Sequence, residues 1–294
     1  MSQATLRPGP WADGTIDVEG HRGARGLAPE NTLAGVRACI ESGASAVEID
    51  VRLTADGHIV LWHDPVLRPG TCRCTAGDLA GARIDALTLE QLRTVDIGST
   101  GHPRFPGQRL DPTARFVTLH EVLTVGVALA PQIWWTIEVK VDPGHPASLA
   151  TRPALVEGVL AEIHEHGIAK RCFVHSFDWG VLELASRLDP LPLRSALVEV
   201  GKTYAPGTPW LGSVRWEQHR EDLPGAVAEL GACVVGPEYV DVDARLVRRA
   251  HDLGIAVLTW TVNEPADLLR MRDLGVDGIV TDYPDRALGL LRAR

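Results

Sequence analysis

Eight short apolar runs rich in β-branched residues recur along this chain, and a longer helix-like segment separates each from the next. That alternation marks parallel strands joined by crossover helices, since a strand can rejoin its neighbour in parallel only through a long connection. The runs are 16–20, 46–51, 133–139, 172–175, 193–198, 232–235, 256–261 and 278–281. Eight such units over roughly 250 residues are the size of a TIM (β/α)8 barrel. An open doubly wound sheet would want a G-x-G-x-x-G loop after the first run, and HRGARG there lacks that spacing. The fold class expected is therefore α/β, a single barrel domain over residues 1–294.

Local signals sharpen this. A helix is expected over 31–42, capped by Asn31 or Thr32 and stopped by Gly43. Further helices are expected at 119–129, 153–166, 179–188, 223–230, 244–253 and 265–274. Asp56-Gly57 turns the chain into 58–62, a strand that returns along or extends the second one. Residues 64–117 break the alternation. They are rich in Gly, Pro and Arg, with one helical stretch near 87–95, and read as a small insertion after the second strand, too poor in apolar residues for a core of its own.

Composition excludes several partners. The 294 residues carry a net charge of −9, which disfavours nucleic acid and docking on anionic lipid. No apolar run is long enough for stable membrane insertion, and MSQATLRPGPWADG has neither the basic start nor the apolar stretch of a signal peptide, so a cytoplasmic location is expected. The oligomeric state is left open. Five cysteines form an odd, scattered set: Cys172 and Cys233 suit the core, and Cys72-x-Cys74 is too isolated for a four-ligand zinc site.

In a TIM barrel the chemistry sits at the C-terminal ends of the strands, and the polar residues here fall there. His21 and Arg22 end the first run. Glu48 and Asp50 lie two apart on the second and face one way, and Glu138 and Lys140 repeat the spacing on the third. One such pair would be read as solvated charge. Three carboxylates on neighbouring strands, with a histidine on either side, point instead to one hard divalent cation, Mg²⁺ or Ca²⁺. His21 and His63 then suit an acid/base couple, and Arg22 and Lys140 suit the oxygens of a phosphate. The competing reading for Arg22 is a salt bridge to a local carboxylate. Most other histidines, among them His58, His102, His145, His164, His166, His219 and His251, read as surface or loop residues.

HRGARGLAPENTLAG, AVEIDVRLTADGHIVLWHDPVL and TIEVK resemble the signature segments of the glycerophosphodiester phosphodiesterase family. The similarity continues through VHSFDWGVLELASRLDP and VLTWTVNEPADLLRMRDLGVDGIVTDYPDRAL, nearly the whole chain. The resemblance implies a TIM barrel that hydrolyses small-molecule glycerophosphodiesters to sn-glycerol 3-phosphate and an alcohol. It implies one Mg²⁺ or Ca²⁺ at Glu48, Asp50 and Glu138, His21 and His63 as acid and base, and Arg22 and Lys140 on the phosphate. Glu30 and Asn31 match positions that shape the site from behind, and Trp260 one that lines the barrel mouth. The chain departs from the pattern after His63-Asp64, where VLRPGTCRCTAGDLAGARI stands in a segment expected to cover the substrate.

Three rivals compete. A lysophospholipase D or sphingomyelinase-like enzyme would use the same centre on lysolipids and want an apolar rim in 64–117. A metal-dependent amidohydrolase would want H-x-H on the first strand, where His21 is followed by Arg-Gly. A non-catalytic barrel would be expected to lack at least one of these positions.

Overall fold

The computed structural model describes residues 9–11, 14–74 and 77–291. Eight parallel strands close into a barrel: β1 Asp17–Gly20, β2 Ala46–Leu53, β3 Trp134–Val139, β4 Cys172–Ser176, β5 Leu193–Val198, β6 Val234–Pro237, β7 Ala256–Thr259 and β8 Gly278–Thr281. Closure comes from β1, which pairs with β8 on one side and β2 on the other. The outer layer contains α1 Leu33–Ser42, α2 Leu119–Leu129, α3 Pro146–Glu165, α4 Trp179–Leu188, α5 Leu223–Leu230, α6 Ala244–Asp252, α7 Pro265–Leu274 and α8 Pro284–Leu291. None of the described helices is long and apolar enough to cross a membrane.

Strand alternation divides the barrel into two environments. Val18, Ile49, Ile137, Val174 and Val257 face outward into one continuous core beneath the helices. The inward set is most apolar at the end where the strands begin. There Phe173 stacks between Trp11 and Trp134, at centroid distances of 5.6 and 5.4 Å, and packs with Val234, Ala256 and Leu258. Higher in the barrel the interior turns polar, with Glu19, Thr136, His175 and Ser195 all buried.

The caps follow local chemistry. Thr32 accepts from Gly35 N at 3.0 Å to start α1, and Gly43, at φ 81°, ends it. Thr118 and Glu121 form a reciprocal capping box on α2. The Asp56-Gly57 turn folds Ile59–Leu61 back as an antiparallel partner of β2.

Two expectations need correction. α3 starts at Pro146 and carries Pro153 in its interior, where a helix start was expected. Pro146 supplies the N1 residue, His145 caps it, and exposed Pro153 leaves its broken hydrogen bond on the solvent side. The insertion also gathers more apolar packing than its composition suggested. Leu67, Ile84, Leu92, Val95 and Phe116 are buried together and enlarge their core by borrowing Val60 and Trp62 from the returning strand. Cys72 and Cys74 are free thiols there, and burial pushes Cys72 up to about 11.

Two outcomes test this layering. Phe173→Ala should cost about 3–5 kcal/mol in chemical denaturation, and a loss below ~1 kcal/mol would mean that the barrel floor is not packed as described. Burial raises Asp17 from 3.8 to about 6, so the native state keeps a proton that the unfolded chain releases. Its contribution to stability is complete below pH 3.8 and lost as pH rises through about 6. Asp17→Asn should therefore gain in Tm relative to wild type between pH 4 and 7, and an unchanging difference would exclude this assignment.

Candidate active site

β2 and β3 set the centre. Their register places Asp50 opposite Glu138, and Glu48 lies one inward step before Asp50. All three are buried, and one carboxylate oxygen from each lies within 4.8 Å of the others. Glu48 Oε2 accepts from Arg22 N at 2.7 Å, whereas buried Glu48 Oε1 has no hydrogen-bond partner among the described residues. Asp50 is clamped by Asn31, whose Nδ2 donates to Asp50 Oδ2 at 2.8 Å and whose Oδ1 accepts from Asp50 N at 3.1 Å. Lys140 Nζ lies 3.0 Å from Asp50 Oδ1 and 2.6 Å from Glu138 Oε1.

Crowding splits these acids. Burial, then the charges of Asp50 and Glu138, push Glu48 well above the ordinary range. Burial raises Glu138 to about 7 against the pull of Lys140. Asp50 is also opposed by burial, yet Lys140, His63 and Arg22 hold it well below the usual carboxylate range. An all-oxygen, buried set with one unpartnered oxygen fits a hard divalent ion.

His21 and His63 both line the same cavity. His21 Nδ1 is 2.7 Å from Asp282 Oδ1, and its Nε2 is 4.0 Å from Glu48 Oε2. Burial, reinforced by Arg25, pushes His21 down to about 4 in spite of Asp282. His63 Nδ1 is 2.8 Å from Asp64 Oδ1. Burial and Lys140 lower His63 too, but its side chain is 33% exposed, so solvent screens this shift more than that of His21.

Arg22 takes the salt-bridged arrangement that competed with phosphate binding in the sequence. Nη1 donates to Glu30 Oε1 at 2.9 Å and Nε lies 3.3 Å from Asp50 Oδ2. Burial disfavours its charge, but Glu30, Asp50 and Glu48 raise its pKa above the ordinary value. Its backbone sits at φ 52°, the left-handed region. Trp260 is partly exposed and lines the cavity, donating Nε1–H to Gly236 O at 2.8 Å, with Phe177 edge-on at 5.4 Å.

Three contributors escaped the sequence reading. Asp282, just after β8, receives Arg25 Nε at 2.5 Å and Asn263 Nδ2 at 2.7 Å besides meeting His21. Burial resists its ionisation, yet His21 and Arg25 hold it below the usual range. Its signal was a strand-end acid in VTDYPD, of the same kind as Glu48 and Asp50. Arg52 staples two loops, donating to His63 O at 3.0 and 2.5 Å and to Lys140 O at 3.4 Å. His175 on β4 pairs in register with Glu138 and faces inward with its Nδ1 unpartnered among the described residues, and burial pushes it down to about 3.

These groups surround a cavity of about 640 Å³ at the C-terminal end of the barrel. Arg104 and Phe105 of the insertion line it, and Phe105 packs beneath Arg25 at 5.0 Å and against Tyr283 at 6.0 Å. A larger surface groove of about 830 Å³ beside Trp216 and Leu246 contains none of the centre's groups.

A closed parallel barrel with its polar centre at the C-terminal strand ends is a TIM barrel of the kind that carries an active site there. The glycerophosphoryl diester phosphodiesterase family profile matches residues 21–286, and the chain belongs to that family, enzymes that hydrolyse phosphoric diesters. A relative from Mycobacterium tuberculosis named for this activity is 32% identical over 292 residues, 94% of each chain. A glycerophosphodiester phosphodiesterase from Caldanaerobacter subterraneus is 28% identical over 94% of this chain and 97% of its own. A crystal structure from Silicibacter pomeroyi, named for the same family, superposes with a TM-score of 0.84 at 37% identity, covering 98% of this chain and 95% of that one. An Oleispira antarctica phosphodiesterase, solved with the product sn-glycerol-3-phosphate, shares the fold at a TM-score of 0.75 and 24% identity over 96% of this chain and 98% of its own.

Asp282→Asn should lower kcat by about 10–100-fold with little change in KM, since it leaves the cavity intact and loosens His21. Equal kcat values in wild type and variant, measured on the same phosphodiester, would remove Asp282 from the site.

Proposed function

We propose that this chain hydrolyses glycerophosphodiesters to sn-glycerol 3-phosphate and an alcohol, with Glu48, Asp50 and Glu138 holding one Mg²⁺ or Ca²⁺. The observation that supports this most is the unpartnered buried Glu48 Oε1 inside an all-oxygen triad flanked by two histidines. When bound, a divalent ion there supplies positive charge to the phosphate oxygens where negative charge builds.

The chain's own groups do the rest. Lys140 and Arg22 line the cavity beside the triad and present donors to the non-bridging oxygens, a phosphate competing with Asp50, Glu138 and Glu30 for them. Asn31 keeps Asp50 aimed while those partners move. His21 is buried, neutral at pH 7 and oriented by Asp282, which suits the base that takes a proton from the attacking oxygen. His63 is more exposed, and Asp64 beside its Nδ1 opposes the lowering by burial and Lys140, which suits the acid that protonates the leaving alcohol. The attacking oxygen is either a water or the neighbouring glycerol hydroxyl. An analogue lacking that hydroxyl separates the routes, because it stalls only the one through a cyclic phosphate.

His21→Ala and His63→Ala should each lose ~10²–10⁴ in rate on glycerophosphodiesters. Near-wild-type turnover in both would discard the pair. Chelation should abolish activity, and added Mg²⁺ or Ca²⁺ should restore it. Metal binding needs ionised carboxylates, so affinity should rise as pH passes through about 7, where Glu138 ionises, with protons released on binding. Calorimetry in two buffers of different ionisation enthalpy measures that release, and its absence would contradict the raised carboxyls.

A further inference from the structure

On the outer layer, α2 and α3 touch each other and both pack against the returning strand Ile59–Leu61. His120 lies in the first turn of α2, Glu162 and Glu165 lie in the last turn of α3, and His166 is its C-cap. Glu162 and His166 are four residues apart and share a helix face. Glu162 Oε2 is 3.1 Å from His120 Nδ1 and 3.5 Å from His166 Nδ1, and Glu165 Oε1 is 3.7 Å from His120 Nδ1. The two rings stand 4.9 Å apart at 66°, and the ligand atoms of His120, Glu162 and His166 all lie within 4.8 Å of one another. A tetrahedral ion with bonds near 2.0–2.1 Å places its ligand atoms about 3.3 Å apart, a spacing these distances bracket.

The surroundings also fit ligation. His166 Nε2 is 3.1 Å from Thr124 Oγ1, and His166 Nδ1 is 2.9 Å from Glu162 O. Without metal, Nδ1–H donates to that carbonyl and Nε2 accepts from the Thr124 hydroxyl. Ligation through Nδ1 breaks that bond, leaving the carbonyl to the His166 backbone N–H, and places the ring proton on Nε2, which then donates to Thr124. A ligating histidine is commonly oriented by such an outer contact.

We propose that His120, Glu162 and His166, with Glu165 as the fourth donor, form a second metal site of Zn²⁺ character that clips α2 to α3. Two imidazoles with carboxylates select a borderline ion, whereas the all-oxygen triad of the barrel selects a hard one. The two sites therefore take different metals. The alternative occupant of this geometry is no ion at all, only imidazole–carboxylate hydrogen bonds between helices.

The test is Zn²⁺ binding by equilibrium dialysis in excess Mg²⁺, with Co²⁺ as a spectroscopic probe and thermal melts alongside. Wild type should bind one Zn²⁺ per chain, give a tetrahedral Co²⁺ spectrum and gain Tm with Zn²⁺ concentration. His120→Ala, a change at a half-exposed side chain, should lose all three responses. Thr124→Val should weaken Zn²⁺ by about 10–100-fold. Glu48→Gln should keep the Zn²⁺ equivalent, which separates this site from the barrel centre whether or not that centre is catalytic. No Zn²⁺ bound by wild type, unchanged binding in His120→Ala, or loss of the equivalent in Glu48→Gln would each overturn the proposal.

Discussion

Three carboxylates forced into one dry volume set the terms for the rest of this structure. Glu48, Asp50 and Glu138 meet because two adjacent parallel strands run in register and each turns every second side chain inward. In water all three would ionise freely. Here burial and mutual repulsion raise Glu48 and Glu138, and nearby cations and Asn31 concentrate the charge on Asp50. Buried like charges are costly unless something positive offsets them. Lys140 and Arg22 do so in part, and a hard cation would complete the balance.

That arrangement is kept aligned by parts of the fold that carry no chemistry themselves. The apolar floor around Phe173 packs the start of the strands, so that the ends can spend their side chains on charge. Arg52 ties the carbonyls of His63 and Lys140 together, which couples the hairpin side of the mouth to the strand that carries Glu138. Asn31 and Arg22 both sit in left-handed backbone, at φ 53° and 52°. Non-glycine residues adopt that conformation at a cost, and here it aims one amide at Asp50 and another at Glu48.

How much of this was legible depended on how local each signal was. α1, α2, α5 and α7 were expected close to where they lie, since each combines a cap with a helical run. α3 was misread because Pro153 imitates a helix start, and only solvent exposure shows that its lost hydrogen bond is tolerable. The insertion's core was missed because part of its closure comes from Val60 and Trp62, which belong to another element. Glu48, Asp50, Glu138 and Lys140 were readable from two-residue spacing on consecutive strands. Asp282 offered the same strand-end signal, but its pairing with His21 was not readable, since the two lie 261 positions apart in sequence.

The sequence by itself determined the alternation of strands and helices, the inward face of each strand and the stock of acids, imidazoles and cations at their ends. Those follow from steric periodicity and side-chain chemistry, which act over a few residues. Barrel closure decided the rest: which carboxylate keeps its charge, which histidine is buried against Asp282, and that Arg22 rests on Glu30 and Asp50. Such outcomes depend on desolvation and Coulomb energy between groups brought together from opposite ends of the chain, and those energies exist only once the strands have met.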